Sequence, residues 1–173
     1  MSRIVKILKY LSGDRNRSST GWIAVFFIRF VIASLLLYLL FMKFGIHYSR
    51  LICRLAGPVL AIFNRRVIMS KAVLITEDIA LNPVVFLSLV IATVNIPVIR
   101  KMRGAVIGVL ILTAANSLTV AMAFMSYYRG SEALWTGTEF FNITINFFLP
   151  VFLLFVLLPV RSVLAGTGAS RDK

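Results

Sequence analysis

The sequence predicts an all-α integral membrane protein: a four-transmembrane-helix bundle with an interfacial helix and a short outer-surface β-hairpin. Three observations lead there. Hydrophobic residues make up 60% of the 173 positions and charged residues only 14%, with a mean hydropathy of +0.93. A chain with enough length for one domain cannot hide that much apolar surface in a soluble core. Four apolar runs are long enough to span roughly 30 Å of hydrocarbon, which takes about 20 helical residues. The net charge is +13, and the bases gather at the ends of those runs. There they meet lipid headgroups and set orientation, so no nucleic-acid partner is expected.

Residues 1–21 form a cytoplasmic basic segment. Its opening, "SRIVKILKYL", mixes bases and apolar residues at helical spacing and reads as an amphipathic anchor. No small-residue cleavage site follows the first apolar run, so a cleavable signal peptide is not expected. The first span is about 22–42, from Trp22 to Met42. Arg29 lies inside it, either as a functional intramembrane charge or snorkelling to the near surface. Residues 51–63, "LICRLAGPVLAIF", are too few to cross and contain Arg54, Gly57 and Pro58. Leu51, Leu55, Val59 and Ile62 recur at helical spacing while Arg50 and Arg54 share another face, which fits an interfacial helix.

Val67, Ile68, Val73, Leu74 and Ile75 favour strand, and Ser70-Lys71 can turn, giving the hairpin. The second span is about 82–99, opened by Asn82 as a capping side chain and Pro83 with its preset φ. The third is about 104–126, where Gly104 and Gly108 permit close helix contact. The fourth is about 139–160, and the membrane domain therefore runs 22–160, with a cytoplasmic tail at 161–173.

Arg100, Lys101 and Arg103 fill the expected tight turn between spans two and three, and bases also flank the first and last spans. The positive-inside rule puts all three segments, and both termini, in the cytoplasm of a bacterial inner-membrane protein. Segments 43–81 and 127–138 then lie outside. Lys43, Arg50, Arg54, Arg65, Arg66 and Lys71 oppose that assignment, and a fifth span at 51–63 would remove the conflict.

No zinc-type spacing, Walker motif or GxGxxG pattern occurs, so no metal and no cofactor are expected. Cys53 is the sole cysteine; among Leu and Ile it reads as a small packed hydrophobe rather than a nucleophile. Glu77 and Asp78 are adjacent, and on a strand they point to opposite faces, which disfavours joint acid–base work. They also place favourable negative charge before a helix N-terminus. Asn116, Ser117 and Thr119 in the third span can face Asn142, Thr144 and Asn146 in the fourth. Such groups either hydrogen-bond between helices or line a pocket for a peptide or lipid group.

The order of motifs from 48 to 160 resembles the exosortase/archaeosortase family, membrane transpeptidases that process proteins with a C-terminal sorting helix. "RLAGPVLAIF" leads to "VLITED", then come an apolar helix, "NIPVIRKMRG", a helix with "AANSLTV", "YYRGSEALW" and a last helix. The resemblance is strongest to the short exosortase H-type members. It implies one site at the outer rim, built from a cysteine after the strand, an arginine one helix on, and a histidine from the last helix. Ile79 stands where the cysteine belongs, Thr119 follows Asn116 where the arginine belongs, and Glu139 or Asn142 takes the histidine's place.

The resemblance therefore implies the scaffold without its chemistry. The expected role is a non-catalytic binding or accessory subunit of a larger membrane assembly. Its expected rim would be Glu77, Asp78, Ile79, Asn116, Thr119, Glu139 and Asn142. The implied partners are membrane proteins, an anionic bilayer surface, and a transmembrane or sorting-signal peptide. Two alternatives stand beside it: an active protease or transpeptidase with other catalytic residues, and an unrelated small subunit of a transport, secretion or envelope-synthesis complex.

Overall fold

The fold is described from a computed structural model over residues 19–68, 81–94 and 96–158, with only the backbone considered at 19–22. Among these residues the regular structure is entirely helical: α1 (Ser19–Ala61), α2 (Asn82–Ala92), α3 (Val98–Arg129) and α4 (Glu132–Leu157). Three of them, α1, α3 and α4, are long and apolar enough to cross a membrane. The chain is a multi-pass, all-α membrane protein.

The helices depart from the bounds of the expected spans in several places. α1 does not stop at 42; it continues unbroken through Arg54, Gly57 and Pro58 to Ala61. Its 43 residues rise about 65 Å. The expected interfacial helix is thus the second half of α1. It is held upright because Ile52, Cys53, Ala56 and Leu60 bury against Val120, Ala121 and Phe124 of α3. A separate fifth span at 51–63 is likewise absent. The helix closes with Asn64 at φ 55°, Arg65 N–H on the Leu60 carbonyl and Asn64 N–H on the Ala61 carbonyl. That is a Schellman end, with asparagine taking the left-handed position.

The second span is also shorter than expected. α2 ends at Ala92, and its 11 residues cover only about 16 Å. Thr93, Val94 and Ile96 are not helical, and Pro97 takes the N-cap position of α3. Arg100, Lys101 and Arg103 are therefore helical residues of α3 rather than a turn. The Lys101 ammonium donates to the Thr93 carbonyl, one of the acceptors left open where α2 ends.

The expected outer loop at 127–138 is replaced by a tight helical hairpin. Gly130, at φ 59°, ends α3 with its N–H on Tyr127, and Ser131 N–H reaches the Ser126 carbonyl. Ser131 then caps α4 by accepting from Leu134 N–H. Glycine is needed here because a side chain would meet its own backbone at positive φ. Of the expected hairpin, Val67 and Ile68 are not strand; residues 69–80 lie outside the described set, as do the amphipathic opening and the 161–173 tail.

The register follows from the contacts. Tyr48 meets Thr113 and Asn116, and Ile52–Leu60 meets Val120–Phe124, so α1 and α3 run parallel. Asn82 meets Asn116 and Phe86 meets Gly108, so α2 is antiparallel to α3. Leu158 approaches Gly104, so α4 is antiparallel to α3 as well. The start of α1 and the end of α4 consequently share one side. Gly108 is the most closely approached of the described glycines: a Cβ there would strike the Phe86 ring. The two expected glycines do admit close neighbours, Gly108 the Phe86 ring and Gly104 the Leu158 side chain.

Candidate functional site

The polar centre of the bundle joins α1, α2 and α3. Asn82 Nδ2 donates to Asn116 Oδ1 at 2.8 Å, and Asn116 Nδ2 donates back to Asn82 Oδ1 at 2.9 Å. The second Asn116 N–H reaches Tyr48 Oη at 3.0 Å. Thr113 Oγ1 donates to the Val109 carbonyl at 2.7 Å, which leaves its oxygen to accept from Tyr48 Oη, 3.3 Å away. Each hydroxyl and each carboxamide oxygen of Tyr48, Asn82, Thr113 and Asn116 is therefore used. Asn82 is 2% exposed and Asn116 fully buried. In a medium without water, such groups must satisfy one another.

Sequence reasoning gave Asn82 the wrong task. Leu81 takes the N-cap position, no side chain caps α2, and Asn82 is its first residue. Its amide points sideways because Asn116 offers matching donor and acceptor geometry. The signal available in the sequence was two asparagines in adjacent apolar helices, each too costly to leave unpaired.

The other expected site residues separate into distinct settings. Asn116 lies mid-helix: 13 residues separate it from Arg129, about 20 Å of rise. Thr119 is 1% exposed, and its hydroxyl donates to the Ala115 carbonyl of its own helix at 3.1 Å. Glu139 is exposed and accepts from Trp135 Nε1 at 2.7 Å. Asn142 is half-buried and accepts from Asn146 Nδ2 at 2.9 Å. The asparagines of α4 thus pair with each other, while Asn116 pairs with α2 and α1. Glu77, Asp78 and Ile79 lie outside the described residues.

Three further features belong to the same half of the molecule. Asn146 Oδ1 is buried without a hydrogen-bond partner among the described residues. Its backbone carbonyl also loses the usual helical donor, because Pro150 stands four residues on. At the far end of α3, Tyr128 Oη donates to the Arg66 carbonyl at 2.7 Å and Arg65 stacks 5.0 Å over the Tyr128 ring. That pair ties the segment after α1 to α3. Cys53 is 3% exposed within the α1–α3 core, the packed setting its apolar neighbours implied.

Taken alone, this geometry holds helices in register and offers a half-buried amide face on α4. It does not bring an exposed nucleophile beside a base among the described residues. No family model matches the chain, and no curated protein and no solved structure matches it either.

Proposed function

We propose that the chain is a non-catalytic, exosortase-like protein of a bacterial cytoplasmic membrane, a binding or accessory subunit of a larger membrane assembly. The observation that carries the reading is the closed Asn82–Asn116–Tyr48 network. In the resembling motif, the position of Asn116 adjoins the catalytic arginine. Here its amide is wholly engaged in joining α1, α2 and α3. Thr119, which stands for that arginine, is turned onto its own helix. A chain whose polar groups are committed to one another is a scaffold first. Glu139 and Asn142 on α4 remain nearer the surface and form the face offered to a partner's transmembrane or extracytoplasmic segment.

The orientation proposed with it places both termini in the cytoplasm. In support, the start of α3, which carries Arg100, Lys101 and Arg103, lies on the same side as the start of α1. Arg29 acts electrostatically on Lys101, so it belongs to the same basic end, in keeping with its snorkelling alternative.

The test is purification of the chain from its native membrane in mild detergent. A stoichiometric membrane-protein partner is the expected result. Cleavage of a sorting-signal peptide by the purified chain alone would replace this reading with the enzyme alternative.

A further inference from the structure

Lys43, His47, Arg50 and Arg54 recur at steps of four, three and four residues along α1, so they form one stripe. All four are exposed. The stripe cannot turn away, because Ser49, Ile52, Cys53, Ala56 and Leu60 bury the opposite face. It begins where the apolar run Ile23–Met42 ends, about 30 Å of helix. The cations therefore stand at headgroup depth on the side away from the start of α1. Only Glu132 and Glu139 among the described residues are acidic, both lie on α4, and Glu139 already accepts from Trp135.

Beside the stripe, on the membrane side of it, a groove of ≈ 240 Å³ opens between α1, α2 and α3. Leu37, Leu40, Phe44, Pro83, Leu87 and Val109 line it. Leu40, three residues before Lys43, borders it on the surface of α1. The groove runs down into the hydrocarbon from the level at which the stripe starts.

We propose that the groove and stripe together bind an anionic phospholipid of the leaflet facing the far end of α1. One acyl chain occupies the groove, Lys43 and Arg50 hold the phosphate, and His47 and Arg54 continue the cationic track above it. This occupant satisfies both halves of the surface. A zwitterionic lipid would fill the groove without selecting for the cations, and an acidic peptide would meet the cations and leave the groove unexplained. It also gives a physical reason for Lys43, Arg50 and Arg54 lying on the side where the positive-inside rule disfavours them. The proposal stands independently of the accessory-subunit reading.

The experiment is native mass spectrometry of the full-length protein in detergent, titrated with phosphatidylglycerol or phosphatidylcholine. The wild type should retain phosphatidylglycerol in preference to phosphatidylcholine. Combined Lys43→Gln, Arg50→Gln and Arg54→Gln should lower that retention roughly tenfold or more. Leu87→Trp, which fills the groove and keeps every charge, should lower it too. Arg100→Gln with Arg103→Gln, at the other end of the bundle, should leave it unchanged. Equal retention of both lipids, or loss only in the Arg100/Arg103 variant, overturns the proposal. So does a stripe variant that loses an acidic protein while keeping its lipid. Should the triple glutamine variant not fold, the single variants Lys43→Gln and Arg50→Gln, each compared with Leu87→Trp, decide in the same way.

Discussion

Asn82 and Asn116 exchange a reciprocal pair of side-chain hydrogen bonds, 2.8 and 2.9 Å long, at the buried contact of α2 with α3. α2 is too short to cross hydrocarbon by itself, so this pair and the Phe86–Gly108 contact decide where it sits. Removing one amide strands the other in an apolar interior. Asn116→Ala should therefore destabilise the bundle by about 1–3 kcal/mol. In a double-mutant cycle with Asn82→Ala, the coupling should reach about 1 kcal/mol, near the upper range for hydrogen bonds within membranes. Reversible unfolding in mixed micelles measures it; additive losses would mean the pair is not coupled.

Asn146 makes the opposite case. Its Oδ1 is buried and unpartnered among the described residues, so it already bears a desolvation cost. Asn146→Leu should be neutral or stabilising in the same assay, within about 1 kcal/mol. A loss as large as that of Asn116→Ala would show that Asn146 serves the fold through a contact made in the assembled state.

Gly108→Ala should be costly, about 1–3 kcal/mol, because its methyl would strike the Phe86 ring. Phe86→Leu in the same chain should recover part of that loss by vacating the space. If Gly108→Ala alone leaves the melting temperature unchanged, α2 does not pack on α3 at this register.

Cys53 should resist thiol reagents in the folded protein and react once it unfolds, since the α1–α3 core covers it. Cys53→Ala should preserve membrane levels and function. Loss of function at normal levels would revive a catalytic role for this thiol.

Much of the fold was legible in the sequence, and the failures are local. The apolar runs at 22–42 and 104–126, and that at 139–160 as far as Leu157, became helix because nothing else can satisfy a backbone in lipid. The extension of α1 to Ala61 was hidden by Arg54, Gly57 and Pro58, which read as an ending. Ile52, Ala56 and Leu60 override them by burial against α3. The break after Ala92 was hidden because Val94, Ile96, Val98 and Ile99 keep the segment largely apolar: periodicity cannot see a break whose carbonyl is answered by a lysine from the next helix, as Lys101 does at Thr93. The hairpin at Gly130-Ser131 had its glycine and serine signals in plain view, but Trp135 and Thr138 were read as loop instead of as the first turns of α4. At the site, Asn116 was singled out and Asn82 was not, because a cap and an interhelical partner look the same before the neighbouring helix is placed.

Topology offers an independent check. With Cys53→Ala as background, a cysteine at Arg129 should react with an impermeant reagent added outside intact cells. One at Arg103 should react only after the cells are opened. The reverse pattern would invert the proposed orientation while leaving the helix packing intact.

The proposed role is tested most directly by photo-crosslinking at Asn142, on the half-buried α4 face, in the native membrane, followed by purification and a sorting-signal peptide assay. The expected result is one common membrane-protein partner captured from Asn142 and from Glu139, none from Arg171, and no peptide cleavage by the chain alone. Capture of lipid only at both α4 positions, or peptide turnover that a single substitution in this chain abolishes, would contradict a non-catalytic accessory subunit.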